Sequence, residues 1–102
     1  MWQNGRDMKH KHFYVVAYDI GDNKRRDKVM KLMESMGARV NYSVFECMLT
    51  EVQYKKMVER LSKIVVAPDD WVNVYPICTE CYARIRYIPD RGKKKAEKIV
   101  VV

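Results

Sequence analysis

Phe13 to Tyr18 form an unbroken apolar run of aromatic and β-branched residues, reaching Asp19 and Ile20 before Gly21 ends it. A run without polar alternation predicts a strand buried on both faces, and hence central in a sheet. Beyond it, Asp22 or Asn23 can cap a helix. Val29, Leu32, Met33 and Met36 then recur at i, i+3, i+4 and i+7, the stripe of an amphipathic helix, and Gly37 is placed as its stop. Residues 38 to 50, ARVNYSVFECMLT, are rich in strand formers but long for one strand. A bend near Tyr42 and Ser43 divides them into two. TEVQ matches a capping box, with Thr50 as N-cap and Gln53 reaching back, and Tyr54, Met57, Val58, Leu61 and Ile64 form a second helical stripe closed by Pro68.

In WVNVYPI, residues 71 to 77, Trp71, Asn73, Tyr75 and Ile77 alternate with Val72, Val74 and Pro76. This predicts a strand whose proline marks its end or an edge. YARIRYI, residues 82 to 88, also alternates and predicts another short strand, after a helical turn at TEC. The order to residue 77 is βαββαβ, an α+β, ferredoxin-like sandwich with both helices on one face of a four-stranded sheet. Residues 1–12 form a tail of flexible composition, 13–92 the domain, and 93–102 a basic linker and a C-terminal strand. That last strand, KIVVV, needs an edge to pair with: its own sheet's or that of a second copy, which would make a homodimer.

A length of 102 residues fits one domain. Charge changes the picture more: 20 Lys and Arg against 13 Asp and Glu leave +7, so a polyanion is the natural partner. Lys24, Arg25, Arg26, Lys28 and Lys31 are nearly unbroken along the first helix, with Asp27 the only acid among them. Such residues can be merely a solvated face. With Lys9, Lys11, Arg39 and Lys93 to Lys95 they predict a surface that tracks phosphates and reads little sequence. MWQNGRDMKHKH holds no apolar segment of signal length, no run approaches a membrane span, and the three cysteines do not suit a disulfide framework. A cytoplasmic protein without membrane contact is expected. Cys78 and Cys81 have zinc-ligand spacing but no second pair, so Cys47, His10 and His12 would have to converge on them.

Asp19 is the candidate for chemistry. A carboxylate closing a central strand must be exposed, paired or bound to a cation, or it simply caps the turn that follows. Basic side chains beside it suit phosphodiester chemistry, in which Mg2+ polarises phosphate and activates water. One carboxylate is a thin site. A two-fold axis near the strand ends would let Asp19 of both protomers share one ion, making activity a property of the dimer.

YDI ending the first strand, the basic first helix, RVNYSVFE, a second helix, and VNVYPIC before a basic C-terminal section together resemble the second of the core CRISPR-associated proteins, the small ferredoxin-like family that partners the adaptation integrase. The resemblance runs from Phe13 to Ile88. It implies a homodimer with exchanged C-terminal strands, and it makes Asp19 the Mg2+ ligand and catalytic residue. Tyr18, Arg26, Arg39, Ser43 and Phe45 match further family positions, while Lys28 stands where an arginine is expected and keeps its charge without the two-pronged phosphate geometry. Two jobs are implied: a metal-dependent endonuclease on RNA or double-stranded DNA, and a bridge between integrase dimers that holds DNA during spacer acquisition. A stand-alone endoribonuclease of the virulence-associated protein D kind is the alternative. A plain RNA-binding module ranks below both, because the RNP-type pattern is absent.

Overall fold

The capping box forms as its spacing demands: Thr50 Oγ1 accepts from the Gln53 N–H at 3.2 Å and Gln53 Oε1 accepts from the Thr50 N–H at 2.8 Å. Asp22 caps the first helix, accepting from the Arg25 N–H at 3.0 Å. In the computed structural model, which describes residues 10–90, these caps open two of the seven elements: β1 (His12–Asp19), α1 (Asn23–Met36), β2 (Gly37–Asn41), β3 (Val44–Leu49), α2 (Glu51–Ile64), β4 (Trp71–Ile77) and α3 (Thr79–Ala83). The strands lie in the order β2-β3-β1-β4, each neighbouring pair antiparallel, so the expected ferredoxin-like sheet is present with β1 inside and β4 at an edge. Tyr42 and Ser43 form the turn between β2 and β3.

One face of the sheet is covered. Tyr14, Val16 and Tyr18 of β1 join Phe45, Cys47 and Leu49 of β3, Val29 and Met33 of α1, and Met57 and Leu61 of α2 in one buried cluster. The alternate side chains tell otherwise. Val15 and Ala17 of β1 and Val44 and Met48 of β3 are half-buried, and Trp71 and Tyr75 of β4 are 45% and 47% exposed. The expectation of a first strand buried on both faces therefore fails within one chain, because both helices pack on the same side.

The strand expected over 82 to 88 is also absent. Cys78 caps the short α3, and the Arg84 and Ile85 N–H groups bond back to Cys81 and Tyr82 carbonyls at 3.0 and 3.3 Å rather than to a ladder. Two tyrosines from opposite sides of that alternation settle on the open sheet face instead. Tyr82 lies against Phe13 with ring centroids 4.8 Å apart, and Tyr87 Oη donates to the Glu46 carboxylate at 2.8 Å. Gly37 ends α1 as expected, but its backbone is extended (φ −162°, ψ −167°), and the glycine serves a close approach instead: a Cβ there would meet the Glu46 carbonyl oxygen and Cys47 Sγ. The N-terminal tail through Lys9, Lys93 to Lys95 and the C-terminal strand lie outside the described residues.

Candidate nucleic-acid interface

At the C-terminal end of β1, the first turn of α1 and the β2–β3 turn enclose a groove of about 410 Å³. Its walls include Tyr18, Asp19, Arg26, Arg39 and Ser43, five of the residues the sequence singles out, together with Asn23, Asp27 and Tyr42. The sheet makes this meeting possible. Asp19 closes the inner strand, and Ser43 is held to β1 by the Tyr18 N–H, which donates to its carbonyl at 3.1 Å.

The groove is basic where it matters. Arg26 donates from Nη2 to the Ile20 carbonyl at 2.9 Å and from Nη1 to Asn23 Oδ1. Arg39 donates to the carbonyls of Asn41 and Tyr42, at 3.3 and 3.0 Å. Both guanidinium groups are thus oriented by neutral oxygens, and among the described residues neither forms an ion pair, so their charge remains available to a phosphate. Beneath them, burial raises the Tyr18 hydroxyl above its ordinary value, with Arg39 opposing, and the hydroxyl donates to the Tyr42 carbonyl at 3.4 Å.

Arg25, next in sequence to Arg26, has a different fate. Its Nε and Nη2 grip Asp70 at 2.7 and 3.1 Å, and that carboxylate, whose side chain is 0% exposed, also accepts from the Gly21 and Val66 N–H groups at 2.9 and 3.0 Å. Arg25 first, then the Gly21 N–H, hold the Asp70 carboxyl far below the usual carboxylate range. The expectation that Arg25 belongs to the phosphate surface is therefore corrected: its charge is spent fixing the turn that follows Asp19. Lys24, Lys28 and Lys31 form an exposed stripe that does not line the groove, although Lys31 reaches its rim by pairing with Asp27 at 3.1 Å. Phe45 is wholly buried, its ring 6.3 Å from that of Tyr18, and so supports the wall from behind rather than lining it. Asp70 is the residue that sequence reasoning missed. Its signal is positional, since the β1–β4 pairing sets Asp19 opposite Trp71 and so brings residue 70 to the turn after β1.

A family model described as CRISPR associated protein Cas2 matches residues 12–85. The chain belongs to the Cas2 family. It is 44% identical over 71 residues to CRISPR-associated endoribonuclease Cas2 4 of Rhodospirillum rubrum, a match covering 70% of this chain but only 57% of that protein. It is 45% identical over 64 residues to CRISPR-associated endoribonuclease Cas2 3 of a Synechocystis species, covering 63% of this chain and 70% of the relative. Among solved structures it is similar to Streptococcus pyogenes Cas2, with a TM-score of 0.65 at 29% identity over 74% of this chain and 96% of that one. It is also similar to the hypothetical protein TT1823 of Thermus thermophilus, with a TM-score of 0.63 at 40% identity over 67% and 83% of the two chains. These matches favour the Cas2 reading over the stand-alone toxin.

A lone Cas2 chain does not make a divalent-cation site here. Among the described residues no three His, Cys, Asp or Glu side chains cluster suitably, and of the two groove carboxylates Asp27 is engaged by Lys31. Asp19, exposed at its strand end, offers one hard oxygen ligand, which fits Mg2+ only with oxygen ligands from a second copy and from water. The cysteines do not converge either. Cys47 is buried on the helix side, and burial with the nearby Glu46 pushes its thiol up to about 12. Cys78 and Cys81 are exposed at α3, where the Cys81 N–H donates to Cys78 Sγ at 3.4 Å and lowers the Cys78 thiol. No helix among the described residues is long and apolar enough to cross a membrane.

Proposed function

We propose that this Cas2 protein is a dimeric nucleic-acid-binding adaptor of CRISPR spacer acquisition, working in the cytoplasm with the adaptation integrase, and that its groove also hydrolyses phosphodiesters. The observation that carries the proposal is the exposed Asp19 carboxylate beside Arg26 and Arg39, two guanidinium groups aimed by neutral oxygens. A sugar-phosphate backbone of double-stranded DNA or RNA supplies the anionic partners that these two guanidinium groups lack among the described residues. The names of the relatives, endoribonucleases, support RNA as the strand that is cut.

Dimerisation is supported by the open sheet face. Trp71 and Tyr75, with Val15 and Ala17 alongside, present apolar surface that a second copy would cover. Strand alternation puts Asp19 on the same side as Val15 and Ala17, so a symmetric pairing of these faces brings two Asp19 carboxylates toward one axis. Those two side chains would hold one Mg2+, which when bound supplies positive charge to phosphate and a more acidic water. Arg26 and Arg39 bind the phosphate oxygens and hold the strand in place. In the reaction water oxygen bonds to phosphorus, the bridging P–O bond breaks, and the leaving oxygen takes a proton.

The test is integration of a DNA segment into a CRISPR array by the cognate integrase, with no added protein, with wild type, and with Asp19→Ala checked for folding and dimerisation. The adaptor reading expects wild type to raise integration above the blank and Asp19→Ala to match wild type. Integration with wild type no higher than the blank overturns it. RNA cleavage with Mg2+, measured on the same two proteins, should vanish with Asp19→Ala; persistence removes Asp19 from hydrolysis.

A further inference from the structure

Tyr42 is 84% exposed, yet its backbone is tethered at three points: its N–H donates to Asn41 Oδ1 at 2.7 Å, and its carbonyl accepts from Arg39 Nη2 at 3.0 Å and from Tyr18 Oη at 3.4 Å. The ring contributes nothing to the core, whereas the turn that carries it is fixed. The Arg39 guanidinium carbon lies 5.7 Å from the ring centroid, and Tyr42 is among the residues that border the groove of Asp19 and Arg26. An aromatic face held in water beside oriented cations costs solvation and is adapted to a flat partner that brings its own negative charge. Single-stranded nucleic acid has both parts: bases that stack on aromatic rings and a backbone that follows the cations. A duplex keeps its bases in its own stack and offers the ring little.

We propose that Tyr42 is a base-stacking platform, taking an unpaired base from a strand whose phosphate rests against Arg26 and Arg39, so that the groove favours unpaired over duplex nucleic acid. This rests on the groove being the phosphate site. The mobile part of the interaction is then the nucleic acid, since the Tyr42 backbone is already set.

Fluorescence anisotropy with a short labelled single strand and the matching blunt duplex, at one salt concentration, tests the proposal on wild type, Tyr42→Ala, Tyr42→Phe and Arg26→Ala. Because the ring is exposed, the Tyr42 variants should keep the wild-type melting temperature. Tyr42→Ala should weaken single-strand binding about tenfold, the scale of one lost base stack, Tyr42→Phe should stay within about twofold, and duplex binding should not change with either. Loss with Arg26→Ala but none with Tyr42→Ala overturns the platform and leaves the groove standing. Equal losses on both strand forms with Tyr42→Ala also overturn it, assigning Tyr42 to the placement of Arg39. No loss with any variant overturns the groove reading and the platform together.

Discussion

Arg25 and Arg26 are sequence neighbours that the fold sends to opposite jobs, and replacing each by alanine separates them. Arg26 is held by the Ile20 carbonyl and Asn23, without a carboxylate partner among the described residues, and lines the groove. On the proposed function, removing it deletes one phosphate contact and little internal structure. The slope of log K against log salt should flatten by about 0.7 for a single strand or about 0.9 for a duplex, one contact's worth. Its melting temperature should shift by no more than about 4 °C, as for a surface change in a domain of this size. Arg25→Ala instead strands the Asp70 carboxylate, wholly buried and still accepting from Gly21 and Val66. Losing one partner of such a pair is costly, so its melting temperature should fall by more than about 5 °C while the salt slope stays at the wild-type value. Anisotropy titrations across a salt series, with calorimetry on the same preparations, give both readouts. The reasoning is refuted if Arg25→Ala flattens the slope as Arg26→Ala does and melts like wild type.

Gly37→Ala should lower the melting temperature by roughly 4 to 20 °C, because its Cβ would collide with the Glu46 carbonyl and approach Cys47 Sγ to 2.7 Å, an overpacking cost of about 1–3 kcal/mol; unchanged melting contradicts the β2–β3 register. The depressed Asp70 pKa means that its stabilisation is fully present above the unfolded value of about 3.9 and is lost as pH falls through that value toward the folded one. Asp70→Asn should therefore melt lower than wild type at pH 7 and show a shallower decline between about pH 4 and pH 2, read by thermal melts across that window; parallel curves would remove Asp70 from acid stability. Of the three cysteines, Cys47 should resist a thiol reagent in the native protein at pH 8 while Cys78 and Cys81 react, with all three reacting in denaturant. Rapid native labelling of Cys47 contradicts its burial.

Local pattern carried the fold far. The stripes of α1 and α2, the Thr50–Gln53 box and the bend at Tyr42 each follow from spacing within a few residues, and the βαββαβ order follows from them. The candidate site was half legible: Tyr18, Asp19, Arg26, Arg39 and Ser43 do meet, because the resemblance named positions that the sheet brings to one end. What sequence could not assign were partnerships across the fold. Which of two adjacent arginines is free depends on Asp70, 45 positions from Arg25, and charge density along a helix is blind to that. Alternation at 82 to 88 suggested a strand, but the helical turn of Thr79–Ala83 takes up its first residues and brings Tyr82 and Tyr87, of opposite parity, to the same existing sheet face. Gly37 reads as a stop from either helix or strand, and only the approach of β3 reveals that the missing Cβ is what counts.

The central claim is that the groove, and not the lysine stripe of α1, holds the nucleic-acid backbone. Backbone amide shift mapping of the labelled protein during titration with a short RNA tests it most directly. Changes should concentrate at Tyr18 to Ile20, Arg26, Arg39, Tyr42 and Ser43 while Lys24, Lys28 and Lys31 move little. Changes confined to that lysine stripe, with the groove residues still, would contradict the account.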